Sequence, residues 1–409
     1  MRFLWILSIA AILVVIHACA WQRQAKDGLQ IDAPSGVGST QPYLHEAHDG
    51  TLWMSWIETV DSVSHAFRLA SYDGRSWSEP RTIVTDSTIF KNWADIPKIL
   101  VMPDGSVIGQ YSVNNGHHRL ATDLVQLRMA PDGTLGMKLR LHDDDTATQH
   151  GFGSLALIDE GVLSVWLDGR TTQLIEGEYD ESEWGDMQLR AALVKGGNTI
   201  RHRWLLDERV CECCGTRAVR TSSGVLVAYR DRIEDESRDI KLLRFEDGRW
   251  SRSYSLHDDG WRINGCPVNG PALAALDENV ASAWFTAAND SPRVQIAFSE
   301  DEGRTFGAPI IVDSARPRGR IDIVLMSDGS ALALWIGVEN RKNAIMVAHV
   351  TPDSRVSSVS TIVYPKSTAF TGMPQMASNG DDVIIAWVDG GHPDSTEIFL
   401  ERRPIAELR

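Results

Sequence analysis

The chain has 409 residues, 43% hydrophobic and 23% charged, which is ordinary globular composition and enough for one large or two medium domains. Its formal net charge is −15, which excludes nucleic-acid binding through a basic face and disfavours a polybasic membrane-surface mode. Fourteen tryptophans are many for this length, and regularly spaced aromatics often mark repeated β units.

In chain order the first element is "MRFLWILSIAAILVVIHACAWQRQ": an early Arg, an apolar run from Phe3 to Ile16, then small residues. The run is too short to span a membrane comfortably and fits a secretory signal, so residues 1–19 read as a signal peptide. Its end, "IHAC", resembles the bacterial lipobox, with Cys19 as the lipidated residue. The alternative is ordinary cleavage after Ala20. Residues 20–27 read as a linker and 28–409 as one domain. On either reading the mature chain is exported, as a cell-envelope lipoprotein or as a secreted protein.

One pattern then recurs: an apolar run, a turn rich in Asp, Gly or Asn, and a strand ending in Trp or Tyr. It begins at Tyr43, Lys98, Gly153, Arg217, Pro271, Asp322 and Pro374. Each copy starts with two strands joined by a tight turn, followed by a polar loop and two further strands. Four-stranded units repeated at this period predict an all-β fold, a β-propeller of seven blades. The last copy is one strand short, and "DGLQIDAP" is expected to supply that strand and close the ring, leaving no open sheet edge.

"SEDEGRTF" at 299–306 matches the Asp-box of the sialidase superfamily, and "SYDGRSW" and "FEDGRW" look like shortened versions. "CECCGTR", "NGCPVNGP", "VWLDGR" and "YRDR" resemble motifs of bacterial sialidase-like, or BNR-repeat, proteins. The resemblance implies a sialidase-type propeller, six-bladed in sialidases, which makes six the alternative count. It also implies action on, or binding of, anionic glycans. A sialidase uses three arginines on the substrate carboxylate, a Tyr nucleophile activated by Glu, and an Asp acid/base. This chain lacks the N-terminal Arg-Ile-Pro stretch; its counterpart "KNWADIP" offers Lys91 and Asp95, and Tyr229 is followed by Glu234 and Glu236 without a mark of the nucleophile.

In a propeller, the loops entering the innermost strands share one rim with the loops joining second to third strands. That rim is expected to be the working face, because the unusual residues gather there. Asp95, Asp168 and Asp231 are candidate catalytic acids or bases. Arg170, Arg230, Arg232 and Arg318, with Trp93, His118 and His150, are candidate ligand-binding residues, since Arg forks grip carboxylates. For each Asp–Arg pair the alternative is an ion pair that braces a loop.

Cys211, Cys213, Cys214 and Cys266 fall on neighbouring loops of that rim. An even number in an exported protein favours disulfides. Adjacent Cys213 and Cys214 do not readily bond each other, so one is expected to join Cys266 and the other Cys211. The alternatives are a zinc or copper site on the four sulfurs, to which His150 or Met373 could add, and a vicinal redox disulfide. No other cofactor is expected. The expected partner is a glycan or other anionic small molecule, and the expected state a monomer. The rival functions are a glycoside hydrolase, a non-catalytic glycan- or protein-binding propeller, and a metal-handling protein.

Overall fold

A computed structural model describes residues 30–173, 185–367, 371–392 and 395–409. Cys19, the signal segment and the linker lie outside them. The described residues form seven sheets, each with a four-stranded antiparallel path. The strands of blade 1 are Ser39–Glu46, Leu52–Thr59, His65–Tyr72 and Arg81–Asp86. Blades 2 to 6 begin at Lys98, His150, Arg217, Ala272 and Gly319. Blade 4 carries a fifth short strand, Tyr254–Ser255, on its third.

Blade 7 contributes Gln375–Asn379, Asp382–Asp389 and Glu397–Pro404, and its fourth strand is Gln30–Ile31, with Gln30 opposite Glu401. The strand expected from "DGLQIDAP" thus closes the ring, and the count is seven, not six. The first and last described segments share one sheet, with Gln30–Ile31 as its outer strand and Gln375–Asn379 as its inner one.

Alternation of apolar residues along each strand puts one face of every blade against each neighbour, and apolar cores fill the junctions. Blades 5 and 6 share the largest, around Trp335, Phe285 and Ala333. Blades 7 and 1 meet around Trp56 and Ile384, and blades 3 and 4 around Val165 and Tyr229. The junction of blades 2 and 3 differs, its apolar packing being divided into two small clusters, one at Leu124 and Trp166 and one at Ile108 and Val162.

Most blades carry an aromatic on the second strand whose polar tip is satisfied by an acid. Trp56 donates to Glu58 at 3.0 Å, Trp166 to Asp168 at 2.9 Å, and Trp335 to Asp313 at 2.7 Å. Tyr229 donates to Asp207 at 2.6 Å. Buried indoles and phenols need such partners.

"SEDEGRTF" forms the turn between the outer strands of blade 5. Asp301 accepts from the Thr305 amide at 2.9 Å and from the Ser299 hydroxyl at 2.7 Å, and Phe306 packs on the core. Partial burial pushes the Asp301 carboxyl up, but the hydrogen bonds from Thr305 and Ser299 outweigh it and hold it down at about 2.

Candidate functional site

The pairing register defines one equivalent position on each inner strand, opposite the residue just before the second-strand aromatic. Tyr43 pairs with Ser55, Lys98 with Gln110, Ser154 with Val165 and Arg217 with Ala228. Ala272 pairs with Ala283, Asp322 with Leu334 and Gln375 with Ala386. Six of these seven residues are polar. Inner strands line the axis of a propeller, so the chain places a polar ring around its own axis.

The side chains meet across the axis. Arg217 of blade 4 reaches over Ala272, the small member of the ring, and donates to Asp322 of blade 6 at 2.8 Å. The second Asp322 oxygen accepts the Met376 amide at 2.8 Å. Arg217 also faces Tyr43 of blade 1, and the Lys98 ammonium lies 5.6 Å from the Tyr43 ring centre. In blades 1, 3 and 6 the inner strand carries a bulge just before the ring residue. Each bulge holds a left-handed residue, Gln41, Phe152 or Arg320, and such bulges re-aim the following side chains.

Burial perturbs three of these groups, Tyr43, Asp322 and Lys98. It pushes the Tyr43 phenol up against the opposing pull of Arg217, and pushes the Asp322 carboxyl up although Arg217 is paired with it. Burial, then the neighbouring Arg217 charge, brings the Lys98 ammonium down to about 8. Two cations, Arg217 and Lys98, face Asp322, and the buried Asp95 carboxyl also acts on Lys98.

A cavity of about 1400 Å³ runs from Tyr43, Arg217 and Asp322 to the hairpin turns at His48, Pro103 and Gly380. It therefore opens on the rim of plain turns. On the loop-rich side the ring is covered by the buried side chains of Gln41, Asp95, Phe152 and Thr216. This cavity lies on the rim opposite the one where the working face is expected, and the loops of that rim hold one another.

Asp95 sits at that cover. Its carboxylate accepts from Ser112 at 2.6 Å and from the Phe152 amide at 2.8 Å, and burial pushes its pKa up. A β-carbon on Gly151 would collide with this carboxylate, so only glycine fits there. Arg230 is fully buried and donates to three backbone carbonyls, of Asn269 at 2.7 Å, Arg238 at 2.6 Å and Phe285 at 2.7 Å, while stacking on Trp261. It is a strut between blades 4 and 5 and has no fork left for a ligand. Arg232 pairs with Glu212 and Glu236, and Asp231 with Lys241.

Arg170 donates to Asp168 at 2.8 and 3.0 Å and to Asp143 at 2.9 Å, and Asp168 meets His150 at 3.6 Å. Burial opposes the charge on Asp168, yet Arg170 and His150 hold its carboxyl below the usual range. His118 accepts the Leu120 amide of its own loop at 3.2 Å. Trp93 lies under Arg320, with the guanidinium 4.2 Å from its ring centre, and Arg318 is exposed near Asn343. Of the rim candidates, His150, Asp168 and Arg170 meet one another and the others lie apart from them; a second converging set lies at the axis, Tyr43, Lys98, Arg217 and Asp322.

The cysteine loop is cross-linked as Cys213–Cys266, with a Cα separation of 6.2 Å, and Cys211–Cys214, with 5.7 Å. One bridge joins the loops entering blades 4 and 5; the other tightens the loop itself. Glu212 between them is gripped by Arg232 and Arg238.

No family model matches the chain, and no curated protein matches its sequence. Among solved structures, an α-L-arabinanase of Penicillium chrysogenum complexed with arabinobiose aligns with a TM-score of 0.52 and 10% identity, over 93% of this chain and 98% of that one. An α-L-arabinofuranosidase of Fusarium graminearum complexed with an iminosugar inhibitor aligns with a TM-score of 0.50 and 11% identity, over 93% and 98%. The intramolecular trans-sialidase of Ruminococcus gnavus aligns with a TM-score of 0.49 and 11% identity, over 90% and 95%. What is shared is the fold. At such identities no catalytic residue transfers, and the site rests on this chain's own geometry.

Proposed function

We propose that the protein is an exported, glycan-active propeller that seats the carboxylate of an anionic sugar in the axial cavity, on Arg217 and Lys98. The observation that carries this reading is the ring itself: Arg217 and Asp322 on the wall of a cavity of about 1400 Å³, with the Lys98 ammonium beside Tyr43. Arg217 can turn one edge of its fork to a ligand while the other holds Asp322. The solved structures of similar fold, bound to arabinobiose or an iminosugar, support a carbohydrate as ligand. Export is supported by the apolar N-terminus and by two disulfides, which persist outside the cytoplasm. Lipidation at Cys19 and a monomeric state belong to the same proposal.

Hydrolysis is the second reading, favoured by the Asp322 carboxyl on the cavity wall beside Tyr43, which burial pushes up against the pull of Arg217. A titration of oligosaccharides ending in uronic or sialic acid, against neutral counterparts, tests both. Wild type binds the acidic set, and Arg217→Met weakens it on the order of ten- to a hundredfold, as for loss of a charged hydrogen bond. Turnover that is abolished by Asp322→Asn selects the hydrolase, and binding without turnover selects the binding module. Neither binding nor turnover across the panel would sink the glycan reading.

A further inference from the structure

Between blades 2 and 3, where the apolar packing is split, two histidines and several carboxylates fill the gap. His142 and His150 are both buried, with rings stacked 3.8 Å apart and 7° from parallel. The His150 Nδ1–H donates to the Thr122 carbonyl at 2.9 Å, which leaves Nε2 as the lone-pair atom of a neutral ring. That Nε2 has no hydrogen-bond partner, and it faces Asp144 Oδ2 at 3.2 Å and Asp168 Oδ1 at 3.6 Å. His142 Nδ1 faces Asp144 Oδ1 at 3.1 Å, and its unpartnered Nε2 faces Asp123 Oδ1 at 3.4 Å.

Without a cation, this arrangement is satisfied only if both stacked rings are imidazolium, two like charges face to face in a buried gap. Donor atoms around a tetrahedral ion with bonds of about 2.1 Å stand roughly 3.4 Å apart. The separations of 3.2 and 3.6 Å bracket that value. Arg170 bonds Asp168 at Oδ1, the oxygen that also faces His150, at 2.8 Å, and Asp144 at Oδ1, the oxygen not facing His150, at 3.0 Å. A backbone carbonyl on the remote histidine nitrogen and a donor on the outer oxygen of Asp144 are what outer-shell support of a metal site looks like.

We propose that His150, Asp144 and Asp168, with His142 and Asp123 alongside, form a site for a transition-metal dication of the zinc class that clasps blade 2 to blade 3. Imidazole with carboxylate is the donor set that suits such ions. The site is separate from the cysteine loop and from the axial ring. Among the described residues it accounts for the junction that replaces a continuous apolar core with charge.

The test is titration of the chelator-treated, full-length folded protein with Co²⁺, followed by displacement with Zn²⁺. One equivalent of Co²⁺ binds with ligand-field absorption and no thiolate charge-transfer band, and it raises the melting temperature. His150→Gln and Asp144→Asn each weaken uptake on the order of a hundredfold. Should His150→Gln fail to fold, Asp144→Asn, which keeps shape, carries the test. Absence of stoichiometric uptake by wild type, a thiolate band, or uptake indifferent to both substitutions would overturn the proposal and leave the imidazolium pair.

Discussion

Lys98 holds its ammonium at the propeller axis with no hydrogen-bond acceptor among the described residues, and burial has lowered it to about 8. An anion seated there keeps the lysine charged, so affinity falls as pH rises through about 8, well below the range of an exposed lysine. Titrations at pH 7 and pH 9.5 check this: wild type weakens across the interval, and Lys98→Met is weak and flat. Asp301 behaves in the opposite sense for stability. Its folded pKa of about 2 lies below the ordinary value of 3.8, so its contribution is present above pH 4 and lost as pH falls towards 2. Asp301→Asn removes that part of the acid dependence, which acid unfolding of the two proteins measures. Arg230 shows the structural use of charge. Arg230→Met leaves three carbonyls without a donor, and at about 1 kcal/mol or more each it costs roughly 3 kcal/mol or more. Denaturant unfolding should show that loss, whereas Lys98→Met, which removes an unpaired buried charge, leaves the midpoint unchanged or raised.

At the scale of elements, the Cys213–Cys266 bridge spans 53 residues of sequence and ties the entry loops of blades 4 and 5. Chain-entropy reasoning values such a closure at about 4 kcal/mol. Cys266→Ser should lower stability by up to that amount, and peptide mapping after alkylation of unfolded, unreduced protein should find none of these four thiols modified. Four modified thiols would contradict the pairing. The seven strand pairs and their turns were legible because alternation and Asp-Gly turns are local signals. The closing strand was legible only through arithmetic, since Gln30–Ile31 is two residues long and has no periodicity of its own. The proposed axial site did not stand out in the sequence. Arginines in "VWLDGR" and "YRDR" drew attention, but with 55 acidic residues to 40 basic, loop arginines such as Arg170 and Arg232 have carboxylates within reach and settle into braces. The ring residues stood in plain view: Tyr43, Lys98, Arg217 and Asp322 each begin a repeat. They read as strand starts because only closure of the circle brings positions 105 residues apart, such as Arg217 and Asp322, into contact.

For the whole molecule, ring closure sets two addresses. The rim of long loops is stitched by disulfides, ion pairs and the Arg230 strut, while Arg217 and Asp322 stand at the axis on the wall of a cavity. On the proposed reading the ligand sits in that cavity, below the loops. A crystal structure of the protein soaked with a uronic-acid-terminated oligosaccharide tests this most directly. The account predicts the sugar carboxylate within hydrogen-bond distance of Arg217 and Lys98, with the chain leaving past the turns at His48 and Pro103. Sugar density on the loop-rich rim instead, against Trp93 and Arg320 with the axial cavity holding only water, would contradict it.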